Sequence, residues 1–232
     1  MNANQQPTLK YSVDIVYCID CTGSMGPYLE SYKDTALNFY QELQGEMERI
    51  HKGISQLRVK VVIFRDLGEE KDEAIQETPF FTLPDGAPSF KEAVASLEPF
   101  GGGDEPESAL EALAVALRSD WERNLDRRRH VVVMCTDASA HPLGKFEMTG
   151  TTQSTKPFPT SMEELQAIWG DEADDGEMEY EAKRLLIFGP RSYPWEDATG
   201  LFENCIYVPT EARAGMSDQD QRQVISAIAG SV

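Results

Sequence analysis

Positive charge is what this chain has least of. Its 21 Lys and Arg stand against 40 Asp and Glu, for a net charge of −19. That argues against nucleic acid as the main partner, because phosphate binding needs a basic face, and equally against an anionic membrane surface. It suits a cation or a basic protein partner. Long apolar runs are also missing, and none approaches a membrane span. The first residues, MNANQQPTLKYSV, have no charged start and no apolar stretch, so no secretory leader is expected. Cysteine is scarce. Cys18, Cys135 and Cys205 lie in strand-like runs, where a reducing compartment keeps them as small buried hydrophobes. The expectation is a cytoplasmic protein. Cys18 and Cys21 form a lone CxxC with no second pair, and His51, His130 and His141 are scattered, so neither zinc nor redox chemistry is indicated. No internal repeat is present.

With hydrophobic residues at 41%, the chain can build one sizeable core. Residues 1–10 read as a lead-in and 11–232 as one domain. Apolar residues over 12–19 end abruptly at Asp20. A polar turn follows, with Thr22, Gly23, Ser24 and Gly26. From Tyr28 to Ile50 apolar residues recur every three or four positions (Leu29, Tyr32, Ala36, Phe39, Leu43, Met47), which predicts an amphipathic helix. Leu57–Phe64 reads as a second strand, ending in Arg65-Asp66. Residues 74–83 read as an edge strand interrupted by Pro79. Ser89, with Glu92 three residues on, predicts a capped helix to Leu97.

Gly101-Gly102-Gly103 then precede Asp104-Glu105-Pro106-Glu107. No Lys-Ser/Thr pair follows, so this is not a phosphate loop. A helix is expected from Pro106 to Trp121. The run Arg127–His130 leads into a strand, Val131–Cys135, that ends in Thr136-Asp137. Residues 138–161 form a long aperiodic loop. Further elements are expected at 162–169 (helix), 185–188 and 205–208 (strands) and 216–229 (helix). Alternating strands and helices, with strands apolar nearly throughout, predict a Rossmann-like α/β fold: a doubly wound, mostly parallel six-stranded sheet with helices on both faces. Ligands in such folds bind at the carboxyl ends of strands, where Asp20, Asp66 and Asp137 fall.

Asp20, Thr22 and Ser24 offer three hard oxygens on one short loop, the chemistry that Mg²⁺ and Mn²⁺ prefer. The same residues would also serve as a helix cap, with a hydroxyl accepting a backbone N–H. Asp66 is a lesser candidate, able to pair with Arg65 or to stand behind the ligands.

Asp20-Cys21-Thr22-Gly23-Ser24-Met25 resembles the Asp-x-Ser-x-Ser signature of von Willebrand factor A domains, which supplies their metal-ion-dependent adhesion site. The family completes the site with a Thr in a glycine-rich loop and an Asp after the fourth strand. Those positions match Asp104 and Asp137. The resemblance implies the intracellular, stand-alone type of this fold, with a divalent metal (Mg²⁺ first, Mn²⁺ or Ca²⁺ as alternatives) held by Asp20, Thr22, Ser24, Asp104 and Asp137. It also implies a protein partner within a multiprotein assembly, and no catalysis. Thr22 keeps the hydroxyl of the first Ser, but Asp104 replaces a Thr. Three carboxylates around one ion disfavour the acidic partner residue that family members often accept. Asp104 would alternatively cap the next helix, with Glu107 as its capping-box partner. Two other readings stay open. One is a metal-free scaffold of the same fold. The other is a phosphatase of the haloacid-dehalogenase type, which lacks here the second acid two residues after Asp20 and a lysine in clear context, Lys145 and Lys183 being the candidates.

Overall fold

Strands that are apolar on both faces need cover on both, and the computed structural model provides it. It describes residues 11–49, 53–103, 105–146 and 156–210, together with Arg222, Ile225 and Ser226. The expected lead-in and most of the expected last helix lie outside these residues. Arg222, Ile225 and Ser226 are helical, and Ile225 is buried.

The chain alternates β1 (Tyr11–Asp20), α1 (Gly26–Arg49), β2 (Ile54–Phe64), α2 (Leu67–Glu70), β3 (Ile75–Glu77), β4 (Phe81–Leu83), α3 (Ala87–Ala95), α4 (Ala109–Leu117), β5 (Arg127–Cys135), α5 (Met162–Trp169), β6 (Lys183–Gly189), α6 (Ala198–Leu201) and β7 (Cys205–Pro209). The sheet runs β3-β2-β1-β5-β6-β7, with β4 also on β2. β1, β2, β5, β6 and β7 are parallel, and β3 and β4 pair antiparallel with β2. There are seven strands rather than the six expected. The single edge strand predicted over 74–83 is two, because the chain leaves the ladder around Pro79, which has no N–H to donate.

Alternation along β1 divides the core. Val13, Ile15, Tyr17 and Ile19 face Leu29, Leu43 and Met47 of α1 and Phe90 and Val94 of α3. Val16 and Cys18 face α4, all of whose residues are buried, and Leu165 and Trp169 of α5. The remaining expected stripe positions of the first helix (Tyr28, Tyr32, Ala36, Phe39, Ile50) lie outside the described side chains. Cys18 and Cys135 are buried and free, as expected from their strands, and Cys21 is buried and free as well; Cys205, expected to be buried too, is only half-buried.

Two helix starts differ from expectation. α3 begins at Ala87, with Pro88 in its first turn, so Ser89 lies inside the helix rather than capping it. α4 begins at Ala109 and ends at Leu117. Pro106 and Glu107 precede it because the Glu107 backbone is committed elsewhere: its N–H donates to Ser139 and its carbonyl accepts from His141. Trp121 lies beyond the helix, and its indole N–H donates to the Leu117 carbonyl. With the central strands parallel, Asp20, Arg65-Asp66 and Thr136-Asp137 come to one edge of the sheet.

Candidate functional site at the carboxyl-terminal rim

Asp20, fully buried, closes β1. Its Oδ1 accepts from the Thr22 backbone N–H (3.0 Å) and from Thr22 Oγ1 (2.7 Å), and its Oδ2 accepts from Thr136 Oγ1 (2.8 Å). Ser24 Oγ donates to Asp137 Oδ1 at 3.1 Å, and Thr22 Oγ1 lies 3.1 Å from Ser24 Oγ. Four of the expected site residues therefore form one continuous chain of oxygens. Capping does not explain it, because Thr22 precedes the 23–25 turn yet its side chain makes no cap hydrogen bond.

Counting protons gives this chain its chemistry. It contains three contacts, Asp20–Thr22, Thr22–Ser24 and Ser24–Asp137. Two hydroxyls supply one proton each, and ionised carboxylates supply none. One contact is left with lone pairs opposed, so the set calls for a cation or an added proton. Burial raises the Asp20 carboxyl to about 6 against the hydrogen bonds it accepts, and the charge on Asp137 adds to the rise. Among the described residues no three His, Cys, Asp or Glu side chains cage an ion by themselves, so a cation here would need the two hydroxyls. Asp104, the fifth expected ligand, lies outside the described residues.

The glycine loop packs directly on this turn. Gly23 N–H donates to the Gly101 carbonyl (2.9 Å) and Phe100 N–H to the Cys21 carbonyl (3.1 Å). Gly101 and Gly102 have φ of +66° and +67°. A Cβ on Gly102 would meet Thr22 Cβ at 2.7 Å and Glu107 Oε1 at 2.8 Å, so only glycine permits the approach.

That contact exposes what the sequence reading missed. Glu107 lies ahead of α4 and so is not the capping-box residue that the alternative reading made it. Its side chain is 4% exposed, and Oε2 has no hydrogen-bond partner. Burial, then the charges of Asp20, Asp66, Glu70 and Asp137, raise its carboxyl to about 9. The available signal was an acid two residues ahead of a helix that is apolar but for Glu111.

Arg65, also missed, ties the rim together. Its guanidinium donates to the carbonyls of Cys21 (3.1 Å), Glu73 (3.2 Å) and Glu98 (3.0 Å), and it lies 3.8 Å under the Phe100 ring. Asp66 pairs not with Arg65 but with Gly68 N–H (2.8 Å) and His141 Nε2 (3.3 Å). Glu70 accepts from Gly102 N–H and from Asp66 N–H. Of the two lysines considered, Lys145 sits against His141 at the rim, whereas Lys183 is buried at the start of β6 with Nζ on the Trp169 carbonyl.

One turn beyond Glu107, Glu111 is also buried with a partnerless Oε2, and burial raises its carboxyl from 4.5 to about 7. Its folded-state value exceeds its unfolded one, so the stability it contributes is complete below about pH 4.5 and drains away as pH rises to about 7. Glu111→Gln has no proton to lose. Its unfolding free energy should match the parent near pH 4 and exceed it by up to about 3 kcal/mol at pH 8. Chemical denaturation at the two pH values measures this, and parallel pH profiles would refute it.

A family model described as the von Willebrand factor type A domain matches residues 14–161. Alpha-protein kinase vwkA of Dictyostelium discoideum is 23% identical over 153 residues, covering 66% of this chain but only 23% of that protein. The chain thus spans less than a quarter of that relative. Among solved structures, BatB from Bacteroides thetaiotaomicron superposes with a TM-score of 0.55 at 13% identity, covering 94% of this chain and 98% of that one. The pilus adhesin SpaC from Lactobacillus rhamnosus GG gives 0.56 at 12% identity, over 97% and 31%. Proximal thread matrix protein 1 from the mussel byssus gives 0.53 at 12%, over 95% and 49%. At these identities the structures speak for the fold alone. The family model spans well over half of the sequence and holds both the Asp20 turn and Asp137, and on that ground the chain belongs to the von Willebrand factor type A domain family.

Proposed function

We propose that this chain is a non-catalytic protein-recognition module of the cytoplasm, and that its binding face is the carboxyl-terminal rim organised by a divalent cation. Domains of this family commonly mediate protein–protein interaction. The observation that carries the cation is the shortfall of one proton along Asp20–Thr22–Ser24–Asp137. Those four residues would hold it, with Glu107 supplying a buried carboxylate oxygen that has no other partner. Asp104 would add a further carboxylate on the evidence of the sequence. All these donors are hard oxygens, which favours Mg²⁺, with Mn²⁺ or Ca²⁺ as alternatives. When bound, the ion would supply the positive charge that this set of oxygens lacks, held by residues of the loops after β1 and β5. No acid stands two residues after Asp20, the place being taken by Thr22, and that disfavours the phosphatase alternative.

Calorimetric titration of Mg²⁺, Mn²⁺ and Ca²⁺ into the chelator-treated protein should show saturable binding that Asp20→Ala abolishes. Identical traces for parent and variant would favour a metal-free scaffold. Turnover of a generic phosphoester, lost in Asp20→Asn, would replace recognition by catalysis.

A further inference from the structure

The large hydrophobic side chains most exposed among the described residues are Phe100, Tyr193 and Ile206, at 42%, 49% and 46%. Two of the three stand at the rim, on opposite sides of the site. Phe100 is anchored through its N–H to Cys21 and stacks on Arg65. The Tyr193 carbonyl accepts from the N–H of Ala140, three residues beyond Asp137. Both rings are carried by backbone that is hydrogen-bonded into the site, so presenting them to a partner needs little further ordering.

Between the rings acids predominate. Asp20, Asp66, Glu70 and Asp137 all act on Glu107, and the exposed Glu69, Glu98 and Glu105 continue the rim outward. Of the cations there, Arg65 is engaged by three carbonyls and Lys145 by His141, whereas Lys71 and Arg191 are exposed and are outnumbered by the acids. One divalent ion offsets two negative charges and leaves the mouth negative. The buried, partnerless Oε2 of Glu107 shows a carboxylate placed there for something outside the set. An incoming partner carboxylate meets repulsion at this mouth, whereas an ammonium or guanidinium is attracted.

We propose that the rim binds a basic protein segment, with a lysine or arginine entering the acidic mouth and flanking apolar side chains lying on Phe100 and Tyr193. This rests on the reading of the rim as the recognition face and adds the chemistry of its partner. Aromatic anchors around a charged centre are the usual source of binding energy in such an interface.

The test is fluorescence anisotropy with labelled peptides of alternating Lys and Leu, and of alternating Glu and Leu at equal length, with Mg²⁺ and with chelator. The Lys–Leu peptide should bind in both conditions. Phe100→Ser and Tyr193→Ser should each weaken it by about tenfold. The pair Glu69→Gln with Glu105→Gln should weaken it several-fold, and the pair Glu42→Gln with Glu48→Gln, which alters net charge equally far along α1, should not. Equal loss from both pairs would mean non-specific attraction and overturn the proposal. Mg²⁺-dependent preference for the Glu–Leu peptide would overturn it while leaving metal-dependent recognition standing. A failure of metal binding in the calorimetry would remove the cation without touching the peptide result.

Discussion

Arg65→Ala should lower the unfolding free energy by about 3–4 kcal/mol, because it leaves three carbonyls without their charged donor in an interior that excludes water. Arg65 is 2% exposed, and its three acceptors belong to three different loops, those holding Cys21, Glu73 and Glu98. The loss also removes the cation under Phe100. Arg65→Lys should recover only part of the deficit, since one ammonium cannot span the fork that a guanidinium presents. Urea denaturation, read as a shift in midpoint at constant slope, measures both variants. A cost below about 1 kcal/mol for Arg65→Ala would show that the three loops hold one another without it. Because the Cys21 carbonyl belongs to the Asp20 turn, cation affinity should fall in parallel with stability.

Glu107→Gln should act in two directions. In the cation-free protein it should stabilise. The folded-state carboxyl is raised from 4.5 to about 9 by burial and by the surrounding acids, so the folded chain holds a proton that the unfolded chain releases. The stability this carboxyl contributes is therefore complete below about pH 4.5 and lost as pH climbs toward 9. Glutamine escapes that loss. The gain should be negligible at pH 4 and about 3 kcal/mol at pH 8, a figure reduced from the full shift because water reaches the open rim. With saturating Mg²⁺ the order should reverse, since the variant lacks one carboxylate ligand and gains less of the binding free energy of the ion. Thermal denaturation at both pH values, with Mg²⁺ and with chelator, separates these effects. A variant less stable than the parent under every condition would mean that Glu107 is held by packing rather than directed at a cation.

Acidic rims of this kind trade stability for function. Glu107 and Glu111 are buried, each has one oxygen without a partner, and they flank the start of α4, Glu107 two residues before it and Glu111 in its first turn. A core built for stability alone would carry Leu or Gln at such positions, since each unpaired buried carboxyl costs free energy. Glu107 stands against the Asp20 turn through Gly102, whereas the charged groups acting on Glu111 are Asp66 and Lys145.

The Asp20 turn was legible in the sequence because everything it needs is local. An apolar run fixes β1, its end fixes the place of Asp20, and a spacing of two puts the Thr22 and Ser24 hydroxyls on one turn. Asp137 was legible for the same reason, at the end of a second buried strand. The parallel sheet followed from strands that are apolar on both faces, and its seventh strand was hidden only by Pro79 dividing what read as one segment. Glu107, Arg65 and the Asp66–His141 pair were not legible. Each depends on residues from segments far apart in the chain: Gly102 against Thr22, Arg65 across to Glu98, His141 back to Asp66. Local periodicity carries no information about which loops meet. The sequence by itself determined which residues end the strands, because burial of apolar side chains is written in the order of the chain. Only the tertiary structure decided that Glu107 is not the capping-box partner of Asp104 but lies before the helix with its carboxyl against Gly102 and Thr22, because a parallel bridge to Ala140 claims its backbone before the helix can begin.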